Sequence, residues 1–140
     1  MTACQDGRVA QPMGDGLYLI DTGYVRPGLA ASHLVVDQGR AAFVDTGPGP
    51  AAPRLLAALD ELGLAREQVD YLFLTHVHLD HAGGAGQMMQ ALPNAKAVLH
   101  PRGAPHLVDP SKLVAGTIAV YGVAAYRQLY GELLPIPADR

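Results

Sequence analysis

Little in this sequence marks a disulfide-bonded, membrane-bound or nucleic-acid-binding protein. Its single cysteine, Cys4, excludes an intrachain disulfide and gives no sign of an oxidising compartment. Lys and Arg never cluster, and the formal net charge is -3. A basic footprint for nucleic acid or a polybasic membrane patch is therefore missing. The opening "MTACQDGRVAQPMGDG" lacks the basic-then-apolar order of a secretory leader. The longest uncharged run, Leu113 to Tyr126, is shorter than the ~20 apolar residues of a membrane span, and a buried helix is expected there. The glycines and prolines follow no period, so collagen and low-complexity linkers are excluded. The expectation is a soluble, cytoplasmic protein with a small-molecule substrate and no nucleic-acid or membrane partner.

What is present is globular: 140 residues, 49% hydrophobic and 16% charged. One domain spanning 1–140 is expected, with a flexible N-terminus over 1–15. Leu17 to Ile20 reads as a strand ending in "DTG". Ser32 to Gly39 and Arg40 to Asp45 read as a hairpin turning at Gln38-Gly39. Pro53 suits the first turn of a helix whose leucines 55, 56, 59 and 62 make one apolar face, with Gly63 as its stop. Val69 to Thr75 reads as a strand buried on both faces. A helix follows and stops before Pro93, with Met88 and Met89 filling the core. Ala95 to His100 reads as a strand, Pro101 to Pro110 as loop, and Lys112 to Leu133 as helix interrupted by Gly116 and Gly122. Strands alternating with helices after an antiparallel start give an α/β class. "LIDTG" (19–23) and "FVDTG" (43–47) echo one another as a shared strand-then-turn solution, too short for a repeat.

The chemistry concentrates in "THVHLDHAGG", Thr75 to Gly84, at the end of the expected Val69–Thr75 strand. Imidazole nitrogens and carboxylate oxygens are the usual ligands of zinc and similar cations. His76 and His78, two apart, point the same way in extended backbone; on a helix they would diverge by ~200°. Asp80 and His81 follow where the chain curls into the next helix, placed to face a second ion. Gly83 and Gly84 let the backbone turn tightly. Two cations ~3.5–4 Å apart share a water and lower its pKa toward ~7.

This stretch resembles the signature of the metallo-β-lactamase superfamily, and "AAFVDTG" upstream resembles the strand and turn that precede it there. The resemblance runs from about Leu17 to His100 and continues less specifically beyond. It implies the N-terminal half of an αββα sandwich, a mixed sheet with helices on its outer face. It implies His76 and His78 on a first metal, Asp80 and His81 on a second, and Asp45 supporting them from the neighbouring strand. Asp80 would also orient the attacking hydroxide. The cofactors implied are two divalent ions, zinc first, with iron or manganese as alternatives. The activity implied is hydrolysis of an ester, thioester, lactone or amide; an iron-dependent redox enzyme is the alternative on the same scaffold.

In that family the second half of the chain adds a third histidine, a bridging aspartate and a last histidine. No Gly-His or Gly-Asp pair follows Gly84 in this sequence. A fragment is therefore expected, either completed by a C-terminal half or a homodimer across its open sheet face, or left as an inactive metal-binding or partner-binding module. His100, at a strand end, is a candidate to touch metal or substrate. His106 is expected in solvent and His33 in a structural role. Asp21 reads as a turn residue, and Tyr121, Tyr126 and Tyr130 as packing.

Overall fold

The computed structural model describes residues 8–131 and 133–140. Its centre is a six-stranded sheet whose spatial order follows the chain. The strands are β1 (Ala10–Gly14), β2 (Leu17–Asp21), β3 (Ala31–Asp37), β4 (Arg40–Val44), β5 (Val69–Phe73) and β6 (Lys96–Val98). The first four form an antiparallel meander. β5 and β6 then add in parallel, so each needs a crossover. The β3–β4 hairpin turns at Gln38 (φ 49) and Gly39 (φ 76), the left-handed pair that matches strand twist.

The crossovers are helical. α1 (Ala52–Glu61) joins β4 to β5, with a proline in its first turn. It buries Leu55, Ala58 and Leu59 and gives way at Gly63, whose φ is 70. α2 (Leu79–Ala82) and α3 (Ala85–Ala91) join β5 to β6, and α3 buries Met88 and Met89. Beyond β6 lie α4 (Ala104–Val108), α5 (Ser111–Tyr121) and α6 (Val123–Tyr130), the last two hinged at Gly122 (φ 84).

Register gives the sheet two unlike faces. Tyr18, Leu34, Phe43, Leu72 and Ala97 align across the strands on the helix-covered side. Leu34, Phe43 and Leu72 are wholly buried there. The other face carries Leu17, Val35 and Tyr71 in one row and Phe73 and Val98 in the next. These side chains are only half covered: Tyr71 is 46% exposed, Phe73 38% and Val98 42%. The expectation that β5 is buried on both faces is thus corrected, because the helices pack on one side of the sheet only.

Three further expectations are corrected. Ala10–Gly14 is not a loose tail: it pairs with β2, and the Glu61 carboxylate accepts the Val9 and Ala10 N–H groups. Residues 1–7, Cys4 among them, lie outside the described residues. The Pro101–Pro110 stretch contains α4, which buries Leu107 under the sheet's edge. The Leu113–Tyr126 run is helical but, Tyr126 apart, not buried. α5 buries none of its residues, and Val120 is 75% exposed, because α5 packs chiefly on α4 and α6 rather than on the sheet. Among the described residues no helix is long and apolar enough to cross a membrane.

Candidate metal centre

The cluster sits where β4 and β5 end side by side. The parallel ladder continues one step past β4, with the Asp45 N–H donating to the Phe73 carbonyl at 2.7 Å. Asp45 then leaves the sheet in the left-handed region (φ 61), which Asp tolerates better than most residues. The turn turns its carboxylate back across the end of β5. Oδ1 accepts the Thr75 N–H at 2.8 Å, and the Thr75 hydroxyl donates to the same carboxylate at 2.8 Å from Oδ2. Ser32 Oγ donates to the Asp45 carbonyl at 2.7 Å, so β3 fixes the backbone of the turn.

This arrangement orients His76. Its Nδ1 lies 2.9 Å from Thr75 Oγ1. The single hydroxyl proton of Thr75 is already given to Asp45, so Thr75 accepts from His76, whose proton then belongs on Nδ1. Nε2 keeps its lone pair, the form a cation needs.

His76 is the hub of the cluster. Its ring centroid is 4.9 Å from that of His78 and 4.4 Å from that of His81. His81 stands between two carboxylates, Nδ1 at 3.4 Å from Asp45 Oδ2 and Nε2 at 3.3 Å from Asp80 Oδ2. Its backbone is held as firmly: the His81 carbonyl accepts the N–H groups of Thr46 and Gly47 and the Thr46 hydroxyl. Gly47 N–H and C=O thus tie the two loops together, since Gly84 N–H donates to the Gly47 carbonyl at 2.9 Å.

The glycines serve this contact rather than a turn. Gly83 (φ -61) is helical and Gly84 (φ -87) is not, but both have a negative φ that any residue adopts. A Cβ on Gly83 would run into the Leu79 carbonyl oxygen of the turn before it and lie 3.3 Å from Pro48 Cα, and one on Gly84 would lie 3.1 Å from the Pro48 carbonyl oxygen. The expected tight turn is corrected to a close approach of two loops. The echoed "DTG" turns also meet: a Cβ on Gly47 would lie 2.8 Å from Thr22 Cβ. Asp21 is a turn residue, its carboxylate accepting the Gly23 and Gly28 N–H groups.

Several contributors were not read from sequence. Thr75 and Ser32 are ordinary strand-end residues until their partners are known. Tyr24 and Tyr130 share a hydroxyl–hydroxyl hydrogen bond at 2.7 Å and stack with ring centroids 5.8 Å apart. With Tyr126, Leu133 and Leu79 they form a second apolar cluster beneath α2. Burial, then the Tyr24 hydroxyl, and more weakly Tyr121 and Asp80 push the Tyr130 phenol above its ordinary value. Tyr130 therefore remains a neutral hydroxyl near the acid. His100 and His106 line one cavity together with Thr75, His76 and Val77. His33 lies in β3, opposite Val44.

The donors suit a borderline cation such as zinc, being imidazole nitrogens with carboxylate oxygens. Among the described residues no three His, Cys, Asp or Glu side chains close on one point as a metal site. Neighbouring donors of the right chemistry are present; a finished cage is not.

Residues 25–138 match the family described as the Metallo-beta-lactamase superfamily. The chain belongs to that superfamily. Hydroxyacylglutathione hydrolase of Salmonella paratyphi A is 39% identical over 80 residues, 54% of this chain and 30% of the relative. The Salmonella typhi enzyme of the same name is 38% identical over 79 residues, 54% of this chain and 29% of its own length. This superfamily member thus spans under a third of the length of the curated relatives it matches. Solved folds agree. A subclass B3 metallo-beta-lactamase from a soil metagenome library superposes with TM-score 0.62 at 20% identity, over 72% of this chain and 36% of that one. A Cronobacter sakazakii metallo-beta-lactamase gives 0.62 at 20% identity, over 76% and 39%. This chain's α/β architecture, a mixed six-stranded sheet with helices on one face, thus matches part of the fold of these superfamily members.

Proposed function

We propose that this chain carries the metal-binding part of a hydrolase acting on a thioester or related acyl compound. The observation that supports it best is the relay from Asp45 through Thr75 to His76 Nδ1, which leaves the other nitrogen of that ring free of a proton in a cluster with two more imidazoles. His76 and His78 would hold one divalent ion, and Asp80 and His81 a second. Bound there, zinc would supply an ionised water near neutral pH. The protein's own share is orientation. Asp45 aligns Thr75 and faces His81, Asp80 is placed to take or steer a proton, and Tyr130 keeps a neutral hydroxyl on that side. The thioester class is favoured over the other esters by the likeness to hydroxyacylglutathione hydrolases.

A second reading has its own support. Among the described residues no three such donors close on one point, which favours a module that binds a cation only weakly and without turnover. One experiment divides the two. Load the chain with zinc, measure bound metal by elemental analysis, and assay a simple acyl thioester alongside His76→Ala. Turnover that disappears with bound zinc in the variant supports the hydrolase. Zinc bound without turnover supports the module, and no zinc bound at all refutes both.

A further inference from the structure

A cavity of about 470 Å³ is lined by His76 of the cluster. Leu74, Val77 and Leu99 give it an apolar floor, and His76, His100, Arg102 and His106 bring nitrogen groups to its walls. No carboxylate is among the described residues that line it. Two of those groups are set as donors. The His100 Nδ1 accepts the Arg102 backbone N–H at 3.1 Å, which leaves the ring proton on Nε2. Arg102 has no acidic partner among the described residues, whereas Arg40 and Arg66 are paired with Asp70 and Asp60. Gly103 adds closeness: a Cβ there would lie 2.8 Å from Val77 Cγ1, so the loop carrying these groups lies directly on the floor.

An apolar floor with unpaired N–H donors suits a short hydrocarbon chain ending in an anion. A guanidinium fork matches the two oxygens of a carboxylate in particular. We propose that this cavity is a carboxylate subsite, which holds the acid end of an acyl substrate while its carbonyl lies at His76. The inference rests on the acyl-hydrolase reading above, and its test is independent of metal and turnover.

The test uses the full 140-residue chain, labelled with ¹³C and ¹⁵N and stripped of metal with phenanthroline, a neutral chelator. Propionate, propionamide and inorganic phosphate are titrated separately while the histidine ring signals are followed. Propionate is expected to shift His100 and His106 saturably, and propionamide to leave them unmoved. Arg102→Gln is expected to weaken propionate about fivefold, the order of an exposed ion pair, with Arg102→Lys in between. Arg102 is exposed, so neither variant endangers the fold. Equal shifts with propionamide, unchanged affinity in Arg102→Gln, or a response to phosphate alone would each overturn the proposal. Failure of zinc binding with the propionate response intact would instead count against the parent reading only.

Discussion

Asp45→Ala removes the acceptor on which the site's geometry depends. In the folded protein Asp45 is 8% exposed, and its carboxylate takes both the N–H and the hydroxyl of Thr75. Without it the Thr75 amide loses a charge-assisted bond, a loss of about 1–3 kcal/mol, while the hydroxyl is close enough to solvent to find water. Alanine at a φ of 61 adds roughly 1 kcal/mol of left-handed strain. The sum is about 2–4 kcal/mol, less than the ~5–15 kcal/mol that holds a typical domain together. The variant should fold and unfold at a urea midpoint lower by roughly 1–2 M for a slope of ~2 kcal/mol per M. Asp45→Asn should lose less, because asparagine accepts the left-handed angle and keeps one oxygen for the Thr75 amide. It should still lose zinc affinity in competition with a chromogenic chelator, since the relay that fixes the His76 proton now ends in an amide. An Asp45→Ala protein with the wild-type midpoint, or an Asp45→Asn protein with wild-type zinc affinity, would refute the relay.

Gly47→Ala should destabilise by about 2–4 kcal/mol, combining left-handed strain with a Cβ 2.8 Å from Thr22 Cβ; urea unfolding measures it. Phe43→Ala removes a wholly buried ring at the middle of the covered face and should cost about 3–5 kcal/mol by the same measurement. Tyr130 has its folded pKa above its ordinary value, so its neutral form stabilises the fold below about pH 10 and that contribution fades as pH rises past it. Alkaline titration of tyrosinate absorbance should show one of the six tyrosines withheld until the chain unfolds, and Tyr130→Phe should abolish that delayed step. The half-exposed Tyr71, Phe73 and Val98 predict association of copies through the open sheet face. Sedimentation should show it rising with concentration, and Tyr71→Thr with Phe73→Thr should suppress it.

How much of this was legible depended on the reach of each interaction. The hairpin, α1 and the cluster's place at a strand end rest on neighbours in sequence, and turn and helix chemistry announces them. The two-faced character of β5 was hidden, because "VDYLFL" is apolar on both sides and only the packing shows which side lacks a cover. β1 was missed since its residues, AQPMG, carry no strand pattern; pairing with β2 makes it. The four cluster residues were readable as a group, but their supports were not. Thr75 meets Asp45 across 30 positions, and Tyr24 meets Tyr130 across 106. His106 looked like a loop residue until it fell in α4, and Arg102, in the turn before α4, joins it in the cavity that His76 lines.

The two "DTG" turns show why a site of this kind is built at strand ends. Asp21 and Asp45 end β2 and β4, the two neighbours of β3, and Thr22 packs on Gly47 between them. Asp21 spends its oxygens on its own loop, at Gly23 and Gly28, whereas Asp45 spends them on Thr75, at the mouth of the cluster. The difference lies in what comes next in the sheet. Beyond β4 a parallel strand ends at the same level, so a carboxylate leaving β4 meets another backbone instead of its own loop. A left-handed turn there, tolerable for Asp and fixed by Ser32, converts sheet register into side-chain position. Shifting β5 against β4 by one residue would carry His76 to the opposite face while Asp45 stayed in place. The parallel pairing of β4 with β5 is therefore as much a part of the centre as the histidines that it presents.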